Sequence, residues 1–203
     1  MPATRTTDAV LDARLATFCA DGVAFFETFD LTVREREFHP FVAADYDVVL
    51  ATLRRVFRPG LSFLEWGSAS GIITIVADML GYEAFGIELD ERLVDTAREL
   101  ATRNHSKARF VAGSFLPNGF HWHSHHGDQR TGTIGEGPSG YLALGRALDD
   151  FDVVYGYPWA GEEPLMLDLM RQYGRRDALL LLNDVTSGVR AYRGGREVIL
   201  ASD

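Results

Sequence analysis

From residue 43 onward, stretches with apolar residues three and four apart alternate with short runs that are apolar throughout. That is the pattern of a parallel sheet whose strands are joined by crossover helices. Val49, Leu53, Val56 and Phe57 recur at helical spacing, and Pro59-Gly60 ends that helix. A first strand is expected over 61–65, then a small-residue turn from Gly67 to Gly71, then a helix over 72–80 that Gly81 stops. Residues 84–88 give a second strand, and Leu93, Val94, Ala97, Leu100 and Ala101 form one stripe on the helix after it. Residues 109–112, 151–155 and 178–182 supply three more strands, with a helix over about 163–173 between the last two. The tail, 189–193, Gly194-Gly195, 196–200, has the pattern of a two-residue hairpin that closes one sheet edge. The expected fold is α/β: a doubly wound, mostly parallel sheet with a C-terminal antiparallel hairpin.

Two regions fall outside this alternation. Residues 1–42 hold a helix near 8–18 and then an aromatic-rich stretch with Phe25, Phe26, Phe29, Phe38 and Phe41, and they read as an N-terminal helical and aromatic extension. Residues 113–138 carry glycines and histidines without a period, and read as an insertion into the main domain of residues 43–203, a lid or a mobile loop. At 203 residues and 46% hydrophobic content the chain has enough apolar surface for one sizeable core, which excludes global disorder. Its net charge of −9 repels phosphate backbones and anionic lipid, so the partners expected are not membranes or nucleic acid. Cys19 is the lone cysteine, Asp8 and Asp12 stand where a signal peptide needs an apolar core, and a cytoplasmic location is expected.

Ligands of open α/β sheets bind outside the carboxyl ends of the strands, so the first strand-to-helix turn is where chemistry is expected. Here it reads Glu65-Trp66-Gly67-Ser68-Ala69-Ser70-Gly71. Small residues let a ligand approach the backbone closely. A dinucleotide fingerprint wants a small residue at the sixth position from Gly67, where this chain has Ile72, and a phosphate loop wants a Gly-Lys pair that is missing. Glu65, two residues before the first glycine, disfavours a phosphate and favours a cationic ligand. At the end of the second strand, 21 residues beyond Gly67, Glu88 is placed to accept both hydroxyls of a ribose.

This stretch resembles the class I S-adenosylmethionine-dependent methyltransferases, whose first motif is an acidic residue followed by glycines at alternate positions. Glu65, Gly67 and Gly71 match, and Ala69 replaces the middle glycine. The resemblance implies a Rossmann-like domain with S-adenosyl-L-methionine as cofactor. It gives Glu88 the ribose and Leu89 the border of the adenine, and places Ser114, in Gly113-Ser114-Phe115, where the family has an acid that contacts the adenine amino group. Tyr155-Gly156-Tyr157-Pro158-Trp159 stands where the family faces the transferred methyl, so Tyr155 is assigned to the cofactor and Pro158 and Trp159 to the substrate. It faintly resembles an Asn/Asp-Pro-Pro-aromatic motif, but Gly156 takes the Asn/Asp position, so amine specificity is not carried over.

The expected activity is methyl transfer from S-adenosylmethionine to a small molecule or a protein, with Tyr157 and Glu162 as candidate bases if the acceptor needs one. Glu163 is a further carboxylate there, and His39 and Tyr46 precede the first strand where the family covers its cofactor. A cofactor-binding regulatory module without transfer activity is the alternative; a nicotinamide-dependent oxidoreductase is disfavoured by Ile72 and Glu65. No metal site is expected. His121, His123, His125 and His126, with Asp128, have neither a cysteine partner nor a helical HExxH spacing and read as a solvated loop.

Overall fold

The computed structural model describes residues 3–34, 39–120, 135, 137–159 and 161–200. Their backbone forms a seven-stranded sheet of order β3-β2-β1-β4-β5-β6-β7. β1 (Ser62–Trp66), β2 (Glu83–Glu88), β3 (Arg109–Ala112), β4 (Val153–Gly156) and β5 (Leu179–Asp184) are parallel. β6 (Gly188–Arg193) runs antiparallel beside β5, and β7 (Arg196–Val198) completes the hairpin at the edge. β1 and β4 are buried along their whole length, which explains why their sequences read as continuous apolar runs. The expected α/β architecture and its closing hairpin are what the chain forms.

Helices α2 (Tyr46–Val56), α3 (Ile72–Leu80) and α4 (Glu91–Arg103) follow the predicted periodicity. Asp45 caps α2 through the amides of Asp47 and Val48, and Asp90 caps α4 through Arg92. α3 begins at Gly71, whose φ of +79° suits glycine and which has no side chain to cap with. A Cβ there would stand 2.7 Å from the Phe110 ring and 2.8 Å from the Ala97 Cβ. Two further helices, α5 (Gly140–Leu144) and α6 (Glu163–Tyr173), complete the described set, and α6 has the bounds its sequence predicts.

The N-terminal helix departs from expectation. α1 runs from Ala3 to Phe29 and continues as a π-turn, Asp30–Arg34, rather than ending near residue 18. Gly22 interrupts no hydrogen bonding; it is where the helix passes close over the fold, since a Cβ there would lie 3.0 Å from Ile72 and from the Tyr46 ring. Leu15, Phe18 and Cys19 share one core cluster with Ile73, Val76 and Leu53. The aromatics of the extension also find each other: Phe41 packs edge-on against Phe26 and Phe29, with centroids 5.2 Å away in each case.

Where the 113–138 insertion leaves and rejoins the sheet, Ser114 ties its ends together. Its amide donates to the Pro138 carbonyl and its hydroxyl to that of Gly135, at 2.8 and 2.9 Å. His121, His123, His125, His126 and Asp128 lie outside the described residues. Among the described residues no cluster could hold a metal ion and no helix is long and apolar enough to cross a membrane.

Candidate functional site

The strand order reverses at β1, which has β2 on one side and β4 on the other. A cleft of about 790 Å³ opens there, along the carboxyl ends of the parallel strands. Gly67 and Ala69 border it after β1, Glu88 and Leu89 at the end of β2, Gly113 and Phe115 after β3, Tyr157, Pro158 and Trp159 after β4, and Asn183 and Asp184 at the end of β5.

The turn after β1 has left-handed backbone at Gly67, Ala69 and Gly71, with φ of +68°, +45° and +79°. Ala69 holds a conformation that favours glycine, at about 1 kcal/mol of local strain. The amides of the turn are largely consumed within the protein. Ser68 donates to Ile87, Gly71 to Ser68, and Ala69 to the Glu88 carboxylate at 2.8 Å. The other Glu88 oxygen accepts from the Asp90 amide at 2.9 Å, so the carboxylate is held from both sides while it borders the cleft. Burial raises its pKa, against the amides of Asp90, Ala69 and Leu89.

Glu65 is placed differently. Its Oε2 accepts from the Thr74 amide at 2.9 Å and the Thr74 hydroxyl at 2.5 Å, which supplies α3 with the cap that Gly71 cannot give. Glu65 is 4% exposed and borders a second, small cavity beneath the turn rather than the large cleft. Burial pushes its carboxyl up to about 8, with the Thr74 bonds opposing and Glu88 adding to the rise. With the Thr74 amide taken by Glu65 and the Ser68, Ala69 and Gly71 amides engaged, the turn is poorly suited to a pyrophosphate.

The other predicted residues sort themselves by position. Tyr155 is fully buried in β4, beside Glu65 in the ladder, and borders the small cavity. Gly71 packs against Phe110 and Ala97, and the Ser114 hydroxyl is occupied by Gly135 and the Leu116 amide, so neither borders the cleft. Phe115 does, stacked on Trp66 at 5.2 Å. Glu162 is buried and accepts from the Trp159 amide at 2.8 Å, which fixes the loop after β4 instead of facing the cleft. Tyr157 stands at the boundary of both cavities and bonds to the Asn183 side chain; burial raises its pKa. A Cβ at Gly156 would come within 3.0 Å of the Met166 sulfur, so a side chain there would make that methionine shift by a few tenths of an ångström.

The roof comes from residues 39–42. His39 Nδ1 accepts from the Phe41 amide at 3.1 Å, which leaves its Nε2 to bond Asp90 at 3.2 Å. At the other side the Trp159 indole donates to the Pro40 carbonyl at 3.3 Å. Asp90 sits low, at about 2: desolvation would raise it, and hydrogen bonds from Arg92 and His39 prevail. The β5 end was not singled out from sequence, although the polar pair Asn183-Asp184 after four leucines marks it. Its Asp184 Oδ1 accepts from Thr186 and Ser187, and Arg190 stands between Asp184 and Glu163.

No protein-family model matches the chain. It is 37% identical over 67 residues to the ribosomal protein L11 methyltransferase of Thermus thermophilus, covering 33% of this chain and 26% of that one. With the like-named protein of Neisseria gonorrhoeae it shares 41% identity over 63 residues, 30% and 21% of the two chains. The match thus spans about a quarter of the length of these curated relatives. Among solved structures, the precorrin-6y C5,15-methyltransferase of Geobacter metallireducens superposes with a TM-score of 0.50 at 17% identity, over 76% of this chain and 71% of that one. An RNA methyltransferase of Salinibacter ruber, in complex with S-adenosyl-L-homocysteine, gives 0.50 at 16% identity, over 70% and 76%.

Proposed function

We propose that this chain, which has the class I methyltransferase fold, is an S-adenosylmethionine-dependent methyltransferase whose acceptor is a protein. The observation that carries the reading is Glu88: a half-buried carboxylate, oriented by the Ala69 and Asp90 amides, on the floor of the switch-point cleft. Such a group suits a pair of ribose hydroxyls, and Leu89 beside it offers an apolar border to a base. The slim turn at Gly67 and Ala69 permits close approach to the backbone, and the engagement of its amides fits a cationic ligand better than a diphosphate. When bound, the cofactor supplies an electrophilic methyl on a sulfonium.

The chain's own residues then align and enclose. Trp159, its loop set by Glu162, and the 39–42 segment cover the cleft and exclude water, while Tyr157 and Asn183 present polar groups at the end distant from Glu88. Glu162 serves this reading as a positioning residue for Trp159. Tyr157 is the polar group that fits contact with the acceptor. A protein acceptor is supported by the relatives named for methylating a ribosomal protein and by a net charge that disfavours nucleic acid.

The test is incubation of the protein with methyl-labelled donor and cell extract. Label that protease releases and nuclease leaves intact is the expected result. Nuclease-sensitive label, or label only in small molecules, overturns the acceptor. Donor binding without any transfer favours the regulatory module instead.

A further inference from the structure

Beneath the turn, the cavity bordered by Glu65 has a volume of about 40 Å³, room for at least one water. Glu65 and Tyr155 are ladder partners on adjacent parallel strands, so their side chains leave the sheet side by side on the same face. The Tyr155 hydroxyl is buried and has no hydrogen-bond partner among the described residues. A buried phenol seldom goes unpaired, and one placed beside a carboxyl and a cavity that Tyr46, Ser68 and Ser70 also border points to a bridging water. Tyr46 of α2 borders the same cavity, and Tyr157, Gly67 and Ala69 border both it and the cleft.

Among the described residues no Lys, Arg or His borders the cavity that Glu65 faces. The groups around Glu65 are Thr74 from α3, Tyr46 from α2, Tyr155 from β4 and the Glu88 carboxylate from β2. Two of them are phenols whose own ionisation burial suppresses. The low-dielectric surroundings and the second carboxylate both favour the protonated form, in keeping with a carboxyl pushed up to about 8. A positive charge in the adjoining cleft reverses that preference.

We propose that Glu65, with Tyr155 and the small cavity, is a proton store that releases one proton to solvent when a cationic methyl donor occupies the cleft. This rests on the methyltransferase reading and adds a coupling that the reading does not require. The balance is simple: the neutral Glu65 carboxyl loses its proton to buffer, and the carboxylate left behind compensates the ligand's charge. The donor, with sulfonium, ammonium and carboxylate, carries one net positive charge. The demethylated product, with no sulfonium, carries none. Release is therefore larger for donor than for product, and donor affinity rises relative to product affinity as pH increases toward 8.

Titration calorimetry of the full chain, with donor and with product, in buffers of different ionisation enthalpy across pH 6 to 9, counts the protons. Expected is release of about one proton per donor at pH 7, falling to none above pH 9, with the association constant rising about tenfold per pH unit below pH 7.5. Glu65→Gln keeps an oxygen for Thr74 and removes the titration, so its release falls to zero. Tyr155→Phe removes the partner of the water and moves the midpoint of release upward. Donor binding without proton release in the unaltered protein overturns the proposal and leaves the methyltransferase reading intact. Release that persists in Glu65→Gln comes from another group and also overturns it. Absence of binding by donor and product at every pH removes the reading itself.

Discussion

Glu65 and Glu88 are carboxyls on neighbouring strands with opposite assignments, because one faces the core and the other the cleft. Glu88 has an amide on each oxygen and spare lone pairs toward the cleft. Glu88→Ala is expected to weaken donor binding by about 1.5–3 kcal/mol, the loss of charge-assisted hydrogen bonds, measured by titration calorimetry with circular dichroism to confirm folding. Glu65 also acts on the free protein. Its folded pKa of about 8 lies above the ordinary 4.5, so the native state binds the extra proton between those values. Stability of the ligand-free protein is fully present below about pH 4.5 as far as this group is concerned, and declines as pH rises toward 8. Glu65→Gln removes that decline; denaturant unfolding at pH 5, 7 and 8.5 checks it.

At the scale of elements, α3 and α6 could be read from the chain because their limits are local: Gly81 ends one, and Pro164 stands in the first turn of the other. α1 could not. The aromatic-rich stretch after residue 18 reads as lying beyond the helix, and only the packing of α1 over Ile72 and Tyr46 shows that the helix runs on through Gly22, which serves close approach. Gly22→Val is expected to cost about 1–3 kcal/mol in chemical denaturation, since its side chain must displace Ile72 or Tyr46. The candidate site divides along the same line. Gly67, Ala69 and Glu88 were legible because one βαβ unit fixes their spacing. The roof was not, because its contacts, such as Pro40 with Trp159, join segments 119 residues apart and leave no periodic trace. Gly71 matches the motif and Ser114 stands where the family has an acid, yet their local work here is packing and tying a loop, which spacing alone does not distinguish.

On the scale of the whole molecule, the sheet supplies a stiff floor and the N-terminal segment a roof. The roof meets the floor through two side-chain clasps on opposite walls, His39 with Asp90 and Trp159 with Pro40. Departure past a clasp requires that bond to break, whereas Glu88 takes its orientation from the Ala69 and Asp90 backbone amides. The clasps therefore govern how long a guest dwells more than how well it fits. His39→Ala combined with Trp159→Phe is expected to raise the dissociation rate of bound product about tenfold in stopped-flow displacement, with a smaller change in the rate of entry. Either substitution alone is then expected to speed departure less than the pair does, since one fastening would still hold the 39–42 segment down.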